Sequence, residues 1–241
     1  MPLPTHESAL AVNAFSSTPD LHASARTLIA QARAEYGDAL AVVSSFGADS
    51  AVLLHLIASV DPAISILFID TGRHFPETLA YVETLTQWLG LKDVRHCGPQ
   101  PTEVARLDPN NERAGYDPDG CCAFRKVAPL EAALVPFKAW ISGRKRFQAE
   151  TRSSVPQIES ADDRVKFNPL AEWSSADVEA YRALHDLPAH PLVAQHYLSI
   201  GCAPCTTPVA EGEDARAGRW RSTAKVECGI HVSRSAAPII C

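Results

Sequence analysis

The chain has 241 residues, with 22 Lys and Arg against 28 Asp and Glu for a net charge of −6. Its 46% apolar and 21% charged content is that of a folded globular protein and excludes a disordered chain, a collagen and a disulfide-packed miniprotein. The acidic balance removes the broad attraction that nonspecific binding to nucleic acid or an anionic membrane requires, so neither is expected as a partner.

Met1 to Asp20 holds no Lys or Arg and no apolar run of leader type, so residues 1–19 read as a flexible N-terminus of a cytoplasmic protein. No stretch is apolar for the roughly 20 residues that a bilayer span needs. Asp20 is placed to cap a helix through Leu21, Ala25, Leu28, Ile29, Ala32 and Tyr36, which Gly37 ends. Ala39 to Ser45 is a short apolar run, and a Ser/Gly/Asp turn leads from it into a helix over Ala51 to Val60. The same strand, loop and helix recur as Ile64 to Ile69, Asp70 to His74 and Pro76 to Leu89, with Pro76 suited to a first turn. Val94 to Cys97 and Ala139 to Ser142 read as a third and a fourth strand.

Asp108 to Gly120 is polar and turn-rich and reads as a loop. Ser174 or Ser175 caps a helix through Val178, Tyr181 and Leu184 that ends near Pro188. Past Cys205 the apolar periodicity fades, so residues 206–241 read as a tail outside the core of a domain spanning 20–205. Strands alternating with helices predict an α/β fold, a doubly wound and mainly parallel sheet covered on both faces. Such sheets bind ligands at the carboxyl ends of their strands.

Three of those ends carry suitable residues. Ser44-Ser45-Phe46-Gly47-Ala48-Asp49-Ser50 offers backbone N–H groups and a helix N-terminus to a phosphate, although turning and capping alone would also select Ser, Gly and Asp. Ile69-Asp70-Thr71-Gly72-Arg73 follows the second strand. Ser142-Gly143-Arg144-Lys145-Arg146 follows the fourth, with Thr151 and Arg152 close behind. Small and basic side chains gathered on one rim favour an anionic nucleotide over the alternative of a solvated basic loop.

Seven cysteines, at 97, 121, 122, 202, 205, 228 and 241, suit metal binding or catalysis in a reducing compartment better than disulfides. Cys202-Ala203-Pro204-Cys205 spaces two thiolates for one metal centre, and Cys121-Cys122 adds a second pair. Adjacent ligands suit an iron–sulfur cube, whose corners are separate irons, better than a tetrahedral zinc; a buried thiol pair beside an unrelated CxxC redox site is the remaining reading. Lys126, four residues past Cys122, returns to its face if this stretch is helical, and Arg125 precedes it. Cys228, between Glu227 and Gly229 with Lys225 and His231 nearby, has the setting of an exposed nucleophile. Cys97 reads as core and Cys241 as incidental.

Together, Ser45 to Ser50, Ile69 to Arg73 with Phe75-Pro76-Glu77-Thr78, the two cysteine pairs, Arg216-Ala217-Gly218-Arg219-Trp220 and Glu227-Cys228-Gly229-Ile230-His231 closely resemble the assimilatory sulfonucleotide reductases over about residues 40 to 231. The cysteine pairs point to the branch that reduces adenosine 5′-phosphosulfate, since the branch using the 3′-phosphorylated nucleotide lacks them. The resemblance implies a fold like the adenine nucleotide alpha hydrolases, a 4Fe-4S cluster on Cys121, Cys122, Cys202 and Cys205, and thioredoxin as reductant. It implies nucleotide contacts at Ser45, Phe46, Gly47, Ile69, Asp70, Thr71, Gly72, Gly143 and Arg144. Lys126, Arg152, Arg216, Arg219 and His231 would address the phosphosulfate, and Cys228 matches the catalytic nucleophile. Phe46 departs from the Gly-rich loop of ATP-cleaving relatives, which counts against an ATP-dependent adenylating or thiolating enzyme. A zinc-stapled nucleotide-sensing module would leave Cys228 without a purpose. Oligomeric state stays open between a single chain and a homo-oligomer.

Overall fold

The computed structural model of the chain describes residues 18–161 and 163–231. Helix α1 (Thr18–Tyr36) is followed by strand β1 (Leu40–Ser44), helix α2 (Ser50–Val60), strand β2 (Ser65–Ile69), helix α3 (Pro76–Leu89) and strand β3 (Val94–Cys97). Three short helices come next, α4 (Pro101–Leu107), α5 (Arg113–Tyr116) and α6 (Pro118–Cys122), and a π-helical stretch at Ala123–Val127 joins the last to α7 (Ala128–Leu134). Strands β4 (Ala139–Ser142), β5 (Ile158–Ala161) and β6 (Arg164–Phe167) precede helix α8 (Ser175–Leu184).

The strands form one sheet in the order β3-β2-β1-β4-β6-β5. Every neighbouring pair is parallel except β5 with β6. Strands β1, β2 and β4 are buried along their whole length, which explains why they read as continuous rather than alternating apolar runs. One face packs Ile29, Leu54, Ile57, Phe68, Tyr81 and Trp173 with α1, α2, α3 and α8; the other packs Val43, Leu67, Ile69 and Trp140 against Leu130, Leu134 and Phe137. The chain builds outward from β1 to β3 and then returns to set β4 on the opposite side of β1. That reversal opens a crevice at the carboxyl ends of β1 and β4, the place where such sheets hold ligands.

Local chemistry accounts for the boundaries. Pro76 occupies the first turn of α3, and Gly90 ends the helix in the left-handed conformation at φ 63°, where only glycine has no steric penalty. Ser174 caps α8 by accepting from the Asp177 N–H. Asp20 stands inside the first turn of α1 rather than at its cap, where its charge still complements the helix dipole.

Four expectations are corrected. The segment expected as a loop from Asp108 to Gly120 contains α5 and the start of α6, where Asp117 caps the second helix by accepting from the Gly120 N–H, and Asp108 is buried in an ion pair with Arg125. The antiparallel hairpin of β5 and β6 adds two strands to the four expected, since its sequence carries no clear strand pattern. Cys97 lies on the edge strand and is half-buried against the second apolar cluster rather than in the core. Past Thr206 the chain still packs: Thr206, Val209 and Trp220 are buried, and Thr206 bridges to Arg219. Cys241 lies outside the described residues. Among the described residues, no helix is long and apolar enough to cross a membrane.

Candidate active site

A cavity of about 560 Å³ opens at the carboxyl ends of β1 and β4. Ser45 and Gly47 from the first loop, Ile69 from the end of β2, and Gly143 and Arg144 after β4 all line it. Lys126, Arg152, Arg216, Arg219, Cys228 and His231 complete the basic side of its wall. Residues about 100 to 180 positions apart therefore face one volume because parallel strands place their carboxyl ends on one edge.

Gly47 is pressed against the opposite wall, since a Cβ there would lie 3.2 Å from the Ile200 carbonyl oxygen. Gly201 leaves the Arg219 guanidinium its place, since a Cβ there would lie 2.3 Å from it and push that side chain aside. That close approach lets Arg219 lie along the backbone, with its guanidinium 4.5 Å from the Trp220 ring centroid.

Phe46, Asp70, Thr71 and Gly72 do not line the cavity. Phe46 holds a left-handed φ of 47°, a conformation that costs a bulky residue energy. Its side chain is fully buried edge-on to Phe68 at 5.4 Å, and that packing offsets the strain. Asp70 accepts from the Gly72 N–H at 3.0 Å and pairs with His96 at 3.1 Å. Burial opposes its charge, yet these bonds hold the carboxyl below the ordinary range. Thr71 is fully buried and faces the cysteines, with Oγ1 3.2 Å from Cys202 Sγ.

The segment carrying Cys228 is docked onto the cavity. Arg152 donates from Nε and Nη2 to the two Glu227 carboxylate oxygens at 2.6 and 2.8 Å. Lys225 pairs with Asp119 and sits over the Trp220 ring. Gly229 turns the chain at φ 87°, Ile230 packs against the second apolar cluster, and His231 stacks on Trp140 with centroids 5.6 Å apart and planes within 3°. Burial and the nearby cations Arg144 and Lys166 push the His231 pKa well below its ordinary value. At neutral pH it is an uncharged ring, able to offer an anion an N–H but not a charge.

Cys121, Cys122 and Cys202 are buried and Cys205 is half-buried, all as free thiols. The first pair stands where α6 meets the π-helical stretch, an irregularity found mostly at functional sites. Burial raises the pKa of Cys121 and Cys205, and of Cys122 to about 11. Cys202 differs: burial opposes its ionisation, but Lys126 and the Thr71 hydroxyl hold its thiol below the ordinary range. Among the described residues no three His, Cys, Asp or Glu side chains are grouped to hold one ion. A cube takes its thiolates at separate corners and asks for wider spacing. Four free thiols within electrostatic reach of one another, beside the cation Lys126, fit such a group in donor chemistry and charge.

Residues 39–208 match the family described as the phosphoadenosine phosphosulfate reductase domain. The chain belongs to that family. An adenosine 5′-phosphosulfate reductase of Mesorhizobium japonicum is 50% identical over 202 residues, covering 84% of this chain and 80% of that protein. A phosphoadenosine 5′-phosphosulfate reductase of Gloeobacter violaceus is 44% identical over 209 residues, covering 85% and 87%. The crystal structure of phosphoadenylyl-sulfate reductase from Candida auris superposes with a TM-score of 0.65 at 23% identity, over 83% of this chain and 100% of that one. This last likeness speaks for the fold alone.

Sequence reasoning missed two residues of this reductase-family site. His74 lines the cavity, donates from Nε2 to the Ile69 carbonyl at 2.8 Å and leaves Nδ1 buried without a partner. Burial lowers its pKa. Lys145, only 2% exposed, reaches Asp49 at 3.1 Å and the Gly143 carbonyl at 3.3 Å. It ties the first loop to the loop after β4, so its charge serves the fold. Lys145 stands in the Arg-Lys-Arg run, where nothing local separates an inward lysine from its outward neighbours; His74 follows the Thr-Gly turn without any motif of its own.

Proposed function

We propose that the chain reduces adenosine 5′-phosphosulfate to sulfite and AMP through an S-sulfocysteine on Cys228, with a thioredoxin as reductant. The reading rests on one observation above the rest: Cys228 lines the same cavity as Lys126, Arg216 and Arg219, at the strand ends where a nucleotide would sit. The names of the relatives support the substrate.

In this reading the loops at Ser45 to Gly47, Ile69 and Gly143 hold the nucleotide. Lys126 and Arg219 orient the phosphosulfate, and His231 contributes an N–H. The Cys228 thiolate attacks the sulfuryl sulfur, a sulfur–sulfur bond forms, and the sulfur–oxygen bond to AMP breaks with its electron pair leaving on the phosphate. Cations fixed beside the departing phosphate stabilise the charge that develops there. A thioredoxin thiolate then attacks Cys228 Sγ and sulfite departs with the electron pair of the sulfur–sulfur bond. The second thioredoxin thiol resolves the mixed disulfide. Two thiols become one disulfide while sulfate sulfur gains two electrons, so the balance closes. A cytoplasmic setting keeps Cys228 reduced between turnovers.

Cys121, Cys122, Cys202 and Cys205 would hold a 4Fe-4S cluster. When bound, that group supplies a compact negative charge beside Lys126 and a crosslink between the α6 region and the loop before residue 206. No electron of the reaction needs to pass through it.

The test is Cys228→Ser incubated with the nucleotide in the absence of thioredoxin. Wild-type protein is expected to gain a sulfo group by intact mass and the variant none, with the uncleaved nucleotide still bound; an adduct on the variant overturns the assignment. The name of the Gloeobacter relative favours a second substrate, the 3′-phosphorylated nucleotide, and comparing kcat/KM for the two decides between them.

A further inference from the structure

The four cations expected to address the phosphosulfate fall into two sets. Every N–H of Arg152 that the structure engages is committed within the protein: Nε and Nη2 to Glu227, and Nη1 to Gln148 Oε1 at 2.7 Å. Arg216 is likewise turned to the Cys228 segment, donating to the Val226 carbonyl at 2.8 Å and lying 3.5 Å from the Glu227 carboxylate. Thr151 adds a weaker contact to the same carboxylate at 3.4 Å. Lys126 is turned to the Cys202 thiol rather than to a carboxylate, and Arg219 keeps Nε buried and unpartnered. Two cations of the cavity are thus held by the residues just before Cys228, Arg152 by the Glu227 carboxylate and Arg216 by the Val226 carbonyl and the same carboxylate, while Arg219 keeps a donor uncommitted.

From this we infer that Glu227 is an internal anion that latches the Cys228 segment closed on Arg152 and Arg216, and that an anionic nucleotide competes with it for these arginines. Glu227 is a positioning residue, and the inference rests on the reading of the cavity as a nucleotide site. A bidentate carboxylate on an arginine matches in shape and charge the two oxygens that a phosphate or sulfate presents. The same donors serve both, but not at once. The free protein therefore keeps its nucleophile lodged with two arginines of its basic wall occupied, and a ligand that takes those arginines has to displace the carboxylate. Ile230 and His231, held by apolar packing and by Trp140, keep the segment near the cavity when Glu227 lets go.

The test compares wild type with Glu227→Gln, using AMP as the probe. Removing the competing charge is expected to tighten AMP binding and lower the KM for adenosine 5′-phosphosulfate by about tenfold, the worth of a charge-assisted hydrogen bond. The kcat is expected to fall, since the nucleophile is less firmly held. A residue needed only for folding would not lower KM while lowering kcat. Alkylation of Cys228 by iodoacetamide, read by peptide mass in ligand-free protein, should be about tenfold faster in the variant. Unchanged or weaker AMP binding together with unchanged alkylation overturns the latch. The alkylation comparison needs no nucleotide, so it reports on the latch even if the proposed substrate proves wrong. Arg152→Gln, which breaks the same contact from the other side, should accelerate alkylation equally; a wild-type rate there also refutes the inference.

Discussion

Arg125 is the sharpest test of how the cysteine region is held together. Its side chain and that of Asp108 are each 3% exposed and meet at 2.8 Å. The guanidinium also donates to the Thr71 carbonyl at 2.9 Å and to Asn111 at 2.9 Å, so one residue joins the π-helical stretch, the loop after β2 and the chain beyond α4. Replacing it by Met keeps the bulk against Phe124 but leaves Asp108 buried without its cation and Thr71 without its donor. Breaking a buried pair from one side costs about 3–5 kcal/mol, and with both partners this deeply buried no screening reduces it. That is a large share of the roughly 5–15 kcal/mol by which domains are stable. With a urea slope near 3 kcal/mol per molar for a chain of this size, the unfolding midpoint should fall by about 1 to 1.7 M. Adding Asp108→Asn removes the stranded charge, so the double variant should recover at least about 1.5 kcal/mol relative to additivity. Equilibrium urea unfolding of the full chain followed by circular dichroism measures both. A loss under about 1 kcal/mol for Arg125→Met, or no coupling in the cycle, refutes the reasoning.

Three further outcomes follow from the same geometry. His190 is fully buried, and its Nδ1 accepts from the Leu192 N–H while Nε2 meets Thr78; burial brings its pKa down to about 4. Because the unfolded ring takes a proton near pH 6.5 and the folded one does not until about pH 4, stability is complete above pH 6.5 and falls with pH, by about 2 kcal/mol at pH 5; His190→Gln should flatten that slope in pH-dependent urea unfolding. Lys126→Ala should lower kcat for adenosine 5′-phosphosulfate by about 10²-fold with a small change in KM, and an unchanged kcat in steady-state sulfite release would make this lysine a bystander. Protein purified without oxygen should carry about four irons and four sulfides per chain, and Cys202→Ser should lose them by metal and sulfide analysis while Cys97→Ser keeps them.

Much of the fold and of the site is legible in the amino-acid order. The runs Ile64 to Ile69 and Ala139 to Ser142, the turn residues after them, and Pro76 opening a helix that Gly90 closes are decided by neighbours within a few residues, which is the range over which sequence speaks. So are the cysteine spacings and the ECGIH segment, because their chemistry depends on residue type. The errors fall where a distant partner decides. Asp108 reads as solvated and is buried because Arg125, seventeen positions later, lies opposite it. Trp220 reads as part of a loose tail, yet its backbone N–H binds the Cys205 carbonyl at 3.0 Å and its ring lies buried under two cations.

The amino-acid order alone determined which side chains bring charge, thiol and nucleophile to this protein, and which stretches become strands of a parallel sheet. Only the tertiary structure decided how the cations are shared. Arg152, Arg216 and Arg219 are the same residue type, yet two of them hold Glu227 and one lies along Gly201 over the Trp220 ring. Partner choice among like charges depends on distance and burial across the fold, and neither quantity is written in local sequence.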